Sequence, residues 1–130
     1  MSISNNQIST EGNCLMIPAN VTKLNIPINW HFYPKSIFNI NVEPFIKESL
    51  EKIKEYFDGI DYKIKISPFY MADQDKNYLN IEIFSNLSVD EALNRLKRFD
   101  EEWYVNQTPE IRDNTIVDIN FFSWPNGQIF

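Results

Sequence analysis

Two stretches of the chain alternate apolar and polar residues one by one: Ile60-Asp61-Tyr62-Lys63-Ile64-Lys65-Ile66, and a second run from Tyr78 to Phe84. Successive side chains of a strand leave on opposite faces, so a period of two predicts a strand with one buried and one open face. In the second run Leu79, Ile81 and Ile83 point inward, and Tyr78, Asn80, Glu82 and Phe84 outward. Pro68 is expected to end the first strand, and residues Met71 to Asn77 to form the polar loop of a hairpin joining the two. In that hairpin Lys63 or Lys65 faces Glu82 across the open side, a cross-strand pair of opposite charge.

A different period governs two other segments. Phe45, Ile46, Ser49, Leu50, Ile53, Tyr56 and Phe57 recur at helical spacing, which predicts a helix from about Val42 to Asp58. Asn41 suits its N-cap, Pro44 its first turn and Gly59 the residue just past its end. Glu43 with Lys47, and Glu48 with Lys52, form i,i+4 pairs on its wet side. Ser88-Val89-Asp90-Glu91 reads as a capping box opening a second helix. Its buried stripe is Ala92, Leu93, Leu96, Phe99 and Trp103, and it is expected to end near Tyr104 or Val105, before a turn at Thr108-Pro109. A last strand follows from about Thr115 to Phe122, with Val117, Ile119 and Phe121 on one face and Ile116, Asp118, Asn120 and Phe122 on the other.

Strand candidates at Leu15 to Ile17, Thr22 to Ile28 and Trp30 to Tyr33 precede the first helix. One of them completes the order βαββαβ, which predicts an α+β fold of the ferredoxin-like, split β-α-β kind. Both helices then cover one face of an antiparallel sheet, with an amino-terminal β-rich extension. With 3 glycines in 130 residues there is no flexible linker, so residues 1–130 are read as a single domain; the polar, aperiodic first 12 are expected to fray.

Composition adds that no staple is needed. Hydrophobic residues make up 43% of the chain, including 10 Phe, 6 Tyr and 3 Trp, enough for a core at this length. Cys14 is the single cysteine and has no internal disulfide partner, which fits a reducing compartment. The start of the chain lacks the basic and apolar regions of a secretion signal, and no apolar run reaches bilayer length, so a cytoplasmic location away from membranes is expected. A net charge of −6 repels nucleic acid and anionic lipid and makes a basic protein surface the natural complement.

Candidate chemistry is thin. Asp73-Gln74-Asp75-Lys76-Asn77 imitates the first half of a calcium loop, but Tyr78 stands where the glycine is needed and Phe84 where the bidentate glutamate is needed, so a solvated loop is expected and no metal. His31, the sole histidine, sits among Trp30, Phe32 and Tyr33 with no nucleophile in a recognisable turn. Gly12, Gly59 and Gly127 stand too far apart for a phosphate loop. The sequence therefore calls for no catalytic residue and no cofactor. Asp100-Glu101-Glu102 sits in the last turns of the second helix, where negative charge opposes the helix dipole; Lys97 and Arg98, four residues before Glu101 and Glu102, partly neutralise it.

The open sheet face carries the remaining signal. Tyr78, Phe84, Phe122 and Trp124 are candidate aromatic anchors of a partner-binding surface, with Asp100, Glu101 and Glu102 as a charged rim. The amino-terminal hairpin or the tail from Trp124 to Phe130 is an alternative occupant of the same face. The leading expectation is a non-enzymatic protein-interaction module of the immunity, antitoxin or anti-defence type, binding a protein partner or itself as a homodimer. Two other readings stand beside it: an enzyme or small-ligand binder with a pocket near His31, and an RNA-binding sheet, which the acidic charge disfavours.

Glu91-Ala92-Leu93-x-Arg95-Leu96-x-x-Phe99-Asp100-Glu101-x-Trp103, followed by a strand ending Asp118-Ile119-Asn120-Phe121, resembles small uncharacterised bacterial proteins of cyanobacterial type. The likeness covers about the last third of the chain, with a looser echo from Phe45 to Asp58. Tyr104 stands where a second tryptophan is usual. The resemblance implies a bacterial intracellular origin and no activity.

Overall fold

A computed structural model describes residues 9–11, 14–19 and 42–120. Its elements in chain order are β1 (Ser9–Glu11), β2 (Cys14–Pro18), α1 (Val42–Tyr56), β3 (Tyr62–Met71), β4 (Lys76–Ser85), α2 (Val89–Glu102), the short α3 (Pro109–Asn114) and β5 (Thr115–Asn120). The fold is α+β. Asn41, the strand candidates at 22–28 and 30–33, and the end of the last expected strand at Phe121 and Phe122 lie outside the described residues.

The alternation places the core. Ile64 pairs with Ile83 and Ile66 with Ile81 in the β3/β4 ladder, Ile17 pairs with Ile64, and Ile119 lies beside Ile83. These inward residues form one buried cluster with Phe45, Ile46, Leu50, Ile53 and Phe57 of α1, Ala92, Leu96 and Phe99 of α2, and Ile111 of α3. Both long helices therefore lie on the same face of the sheet.

Strand order departs from the expectation. Among the described residues the sheet has five strands in the order β1-β2-β3-β4-β5, and its last pair is parallel. The split β-α-β arrangement needs a third strand between the two that flank a helix; here β4 and β5 flank α2 and α3 and are direct neighbours, as an uninterrupted helical crossover allows. The sheet is mixed rather than antiparallel. Ser9–Glu11, within the segment expected to fray, instead pairs with β2.

Helix α1 is bounded much as its sequence implies. Phe57 N–H still donates to the Ile53 carbonyl at 2.8 Å, and Gly59 follows at φ 82°, the left-handed conformation that ends many helices. Arg95 of α2 closes that end, its Nη1 donating to the carbonyls of Tyr56 at 3.2 Å and Asp58 at 3.3 Å. Buried Ser49 is tolerated in the apolar stripe because its hydroxyl donates to the Phe45 carbonyl at 2.7 Å. Of the expected pairs on the wet side, Glu48 is drawn off to accept from Trp103 Nε1 at 2.9 Å, and Lys52 pairs with Glu55.

In α2 the Ser88 hydroxyl accepts from Glu91 N–H at 3.3 Å, half of the expected box; the Glu91 carboxylate turns instead to Arg95 Nε at 2.9 Å. Leu93, expected in the buried stripe, is 45% exposed. Helix α3 replaces the expected turn. Thr108 caps it by accepting from Ile111 N–H at 3.3 Å, and Pro109 occupies its first turn, so the Thr-Pro pair begins a helix rather than ending one. Tyr104 then ties the connection to β5 by donating to the Thr115 carbonyl at 3.1 Å. Among the described residues no helix is long and apolar enough to cross a membrane.

Candidate functional site

Strand β3 runs straight through Pro68, where it was expected to stop. β2 pairs with it only as far as Ile66, so among the described residues Pro68 lies on a stretch with one strand neighbour, the setting in which a sheet tolerates a proline. The ladder continues past it, and the hairpin gains Phe69 and Tyr70, paired with Tyr78 and Asn77. Phe69 is 43% exposed and Tyr70 54%. The apolar/polar alternation ends at Ser67, so no periodic signal in the sequence marks Phe69 and Tyr70 as strand residues on opposite faces.

The tip is held by its own side chains. Ala72–Gln74 form a single 3-10 turn, closed by Asp75 N–H donating to the Ala72 carbonyl at 3.2 Å, with Asp75 at φ 47°. Tyr70 hydroxyl donates to Asp75 Oδ1 at 2.6 Å, and Tyr78 hydroxyl donates to Gln74 Oε1, so each strand fastens one loop residue. The bond to Asp75 holds the Tyr70 proton more tightly than usual. Lys76 lies over the Tyr78 ring, its Nζ 5.0 Å from the centroid, and donates to the Asp113 carbonyl of α3. Tyr78, one of the four expected aromatic anchors, lies at this tip and is partly exposed.

Phe84 is not. It occupies the open face, as the alternation implies, yet it is 3% exposed and packs with Met16. Alternation assigns a side chain to a face without saying what lies above that face, so the expectation of an exposed anchor at Phe84 is overturned. Phe122, Trp124 and His31 lie outside the described residues. Further along the face, Glu82 stands opposite Lys65 in register, but its carboxylate accepts from Asn80 Nδ2 at 3.1 Å and Asn120 Nδ2 at 2.6 Å instead.

Comparison with family models, with curated proteins and with solved structures gives no match. The geometry of the chain itself therefore carries the functional argument.

The expected acidic rim is largely engaged within its own helix. Glu101 pairs with Lys97 at 3.9 Å and Glu102 with Arg98 at 3.6 Å, while Glu102 also accepts from the Tyr56 hydroxyl at 3.1 Å. Asp100 differs from both: it is half-buried, and burial first, then the charges of Asp118 and Glu101, push its carboxyl up to about 6. A carboxyl raised in the fold binds its proton more tightly there than in the unfolded chain. Stability through this group is therefore greatest at low pH, falls as pH rises from about 4 to about 6, and stays reduced above that. Asp100→Asn is expected to raise stability at pH 7.5 by about 1 kcal/mol, a figure discounted because the side chain is only partly buried, and to change little at pH 4. Urea unfolding at the two pH values measures this, and an equal effect at both would contradict it.

A pocket of about 160 Å³ opens between the end of α1 and the start of β3, lined by Lys54, Phe57, Asp58, Gly59 and Tyr62 among others. Burial, and then the charge of Asp58, push the Tyr62 phenol up, so its hydroxyl stays protonated and donates to the Ala19 carbonyl at 3.4 Å. Among the described residues no three His, Cys, Asp or Glu side chains are grouped to hold a metal ion.

Proposed function

We propose that this chain is a non-enzymatic protein-interaction module, of the kind to which immunity proteins, antitoxins and anti-defence inhibitors belong, and that it engages its partner with the tip of the β3–β4 hairpin. The observation that carries the reading is the tip itself, where Phe69 and Tyr70 stand exposed on the strand beside a loop already fastened by the Tyr70–Asp75 and Tyr78–Gln74 hydrogen bonds. Aromatic side chains supply large contact area for few rotatable bonds, and they dominate the energetics of protein interfaces. Holding the loop before contact removes part of the ordering cost that association otherwise carries. The acidic charge favours a protein over RNA as the partner of such rings. The lone cysteine fits action in a reducing compartment.

The test is a photo-crosslinking residue placed at position 69, compared with one at the exposed Asn94 of α2, in cells that make the chain naturally. A discrete adduct from 69 and none from 94 is the expected result. Equal crosslinking from both, or none from either, removes the proposal.

A further inference from the structure

The ion pairs among the described residues are unevenly distributed. Lys52–Glu55 lies on α1, and Arg95–Glu91, Lys97–Glu101 and Arg98–Glu102 all lie on α2. At the hairpin tip and the adjoining end of α3, by contrast, Asp73, Asp75 and Asp113 are exposed and enter no ion pair. Lys76, next to Asp75 in the chain, does not neutralise them: it donates to the Asp113 backbone carbonyl rather than to a carboxylate, and lies over the Tyr78 ring. Arg112 of α3 likewise directs Nε to the Gln107 carbonyl at 3.1 Å. This end of the molecule thus presents exposed carboxylates lacking a counter-charge, one of which, Asp75, is hydrogen-bonded to the exposed Tyr70, in a chain whose net charge is −6.

Resting on the interaction reading above, we infer that the surface docked on this tip is basic and presents arginine. A guanidinium is planar and weakly hydrated, so it stacks on a ring while its N–H fork engages a carboxylate beside it. Phe69 and Tyr70 offer the rings. Asp73 offers a carboxylate with no hydrogen bond of its own, and Asp75 keeps one oxygen beyond the Oδ1 that accepts from Tyr70. An ammonium satisfies the carboxylate but holds its water more strongly and gains less from the ring. Lys76 over Tyr78 shows within the chain that a ring of this tip accepts a cation on its face.

The experiment titrates an oligo-arginine peptide, and an oligo-lysine peptide of equal length, into the full chain labelled with ¹⁵N. Amide shifts are expected to gather on residues 69–78 and at Asp113, with oligo-arginine binding about tenfold more tightly than oligo-lysine. The double variant Asp73→Asn/Asp75→Asn is expected to lose about tenfold in affinity for oligo-arginine. Should Asp75→Asn disturb the turn, Asp73→Asn alone still reports, because the Asp73 side chain holds nothing in the fold. Equal affinity for the two peptides, or shifts gathering on Glu101 and Glu102 instead, overturns the inference. If that happens while position 69 still crosslinks a discrete partner, the basic partner fails and the interaction module stands; loss of both results removes both.

Discussion

Replacing Phe99 with alanine is expected to cost about 3–5 kcal/mol of folding stability, the range for truncating a fully buried aromatic side chain. Phe99 has no exposed surface and is the ring on which the helical layer converges. Its centroid lies 6.0 Å from Tyr56 in an edge-on arrangement, 5.1 Å from Trp103 and 6.5 Å from Tyr104. Tyr56 belongs to α1, Trp103 closes α2, and Tyr104 is bonded to the start of β5, so one side chain fills the space where three segments meet. Trp103 in turn stacks on Phe45 at 5.6 Å. A domain of this size is stable by about 5–15 kcal/mol, so the variant is left with a small margin or none. Urea unfolding followed by tryptophan fluorescence reads the loss directly. A cost below about 1 kcal/mol would mean that the site collapses without a cavity or that the ring is not central to the core.

Much of this architecture is legible in the residues, and the parts that are not share a physical cause. The inward sets Ile64, Ile66 and Leu79, Ile81, Ile83 follow from a period of two, because a slip by one residue would turn each set to the open face. Helix α1 and the Ser88 cap follow from local chemistry, where the deciding contacts lie within a few residues. Strand order is another matter. Whether β5 lies parallel beside β4 or elsewhere depends on contacts between elements far apart in the chain, and the same run of helices and strands is compatible with both arrangements. Pro68, expected to end a strand, and Thr108-Pro109, expected to form a turn, depart from expectation for one physical reason. Proline removes one N–H and fixes φ, and at an edge or in the first turn of a helix neither is a loss. Tyr78 was legible as an outward aromatic, but Phe69 and Tyr70 were hidden behind Pro68, and the loop bonds that make them a fixed surface cannot be read from spacing.

Phe84 and Phe69 together give the second large effect, because they share the open face of the hairpin and differ in what surrounds them. Phe84→Ala is expected to cost about 3 kcal/mol, since the side chain is 3% exposed and its removal opens a cavity beside Met16. Phe69→Ala, at 43% exposure, is expected to change stability by no more than about 0.5 kcal/mol. Alternation alone predicts a similar, small effect at both. A free-energy gap of about 2 kcal/mol or more between the two variants in urea unfolding establishes that the sheet face is covered at Phe84 and bare at Phe69. If Phe84→Ala proves as mild as Phe69→Ala, the open face is accessible along its length and the docking surface extends from the tip toward the centre of the sheet. The distinction decides where a partner sits: a covered Phe84 contributes to folding and leaves the hairpin tip as the place where aromatic surface is offered to another molecule.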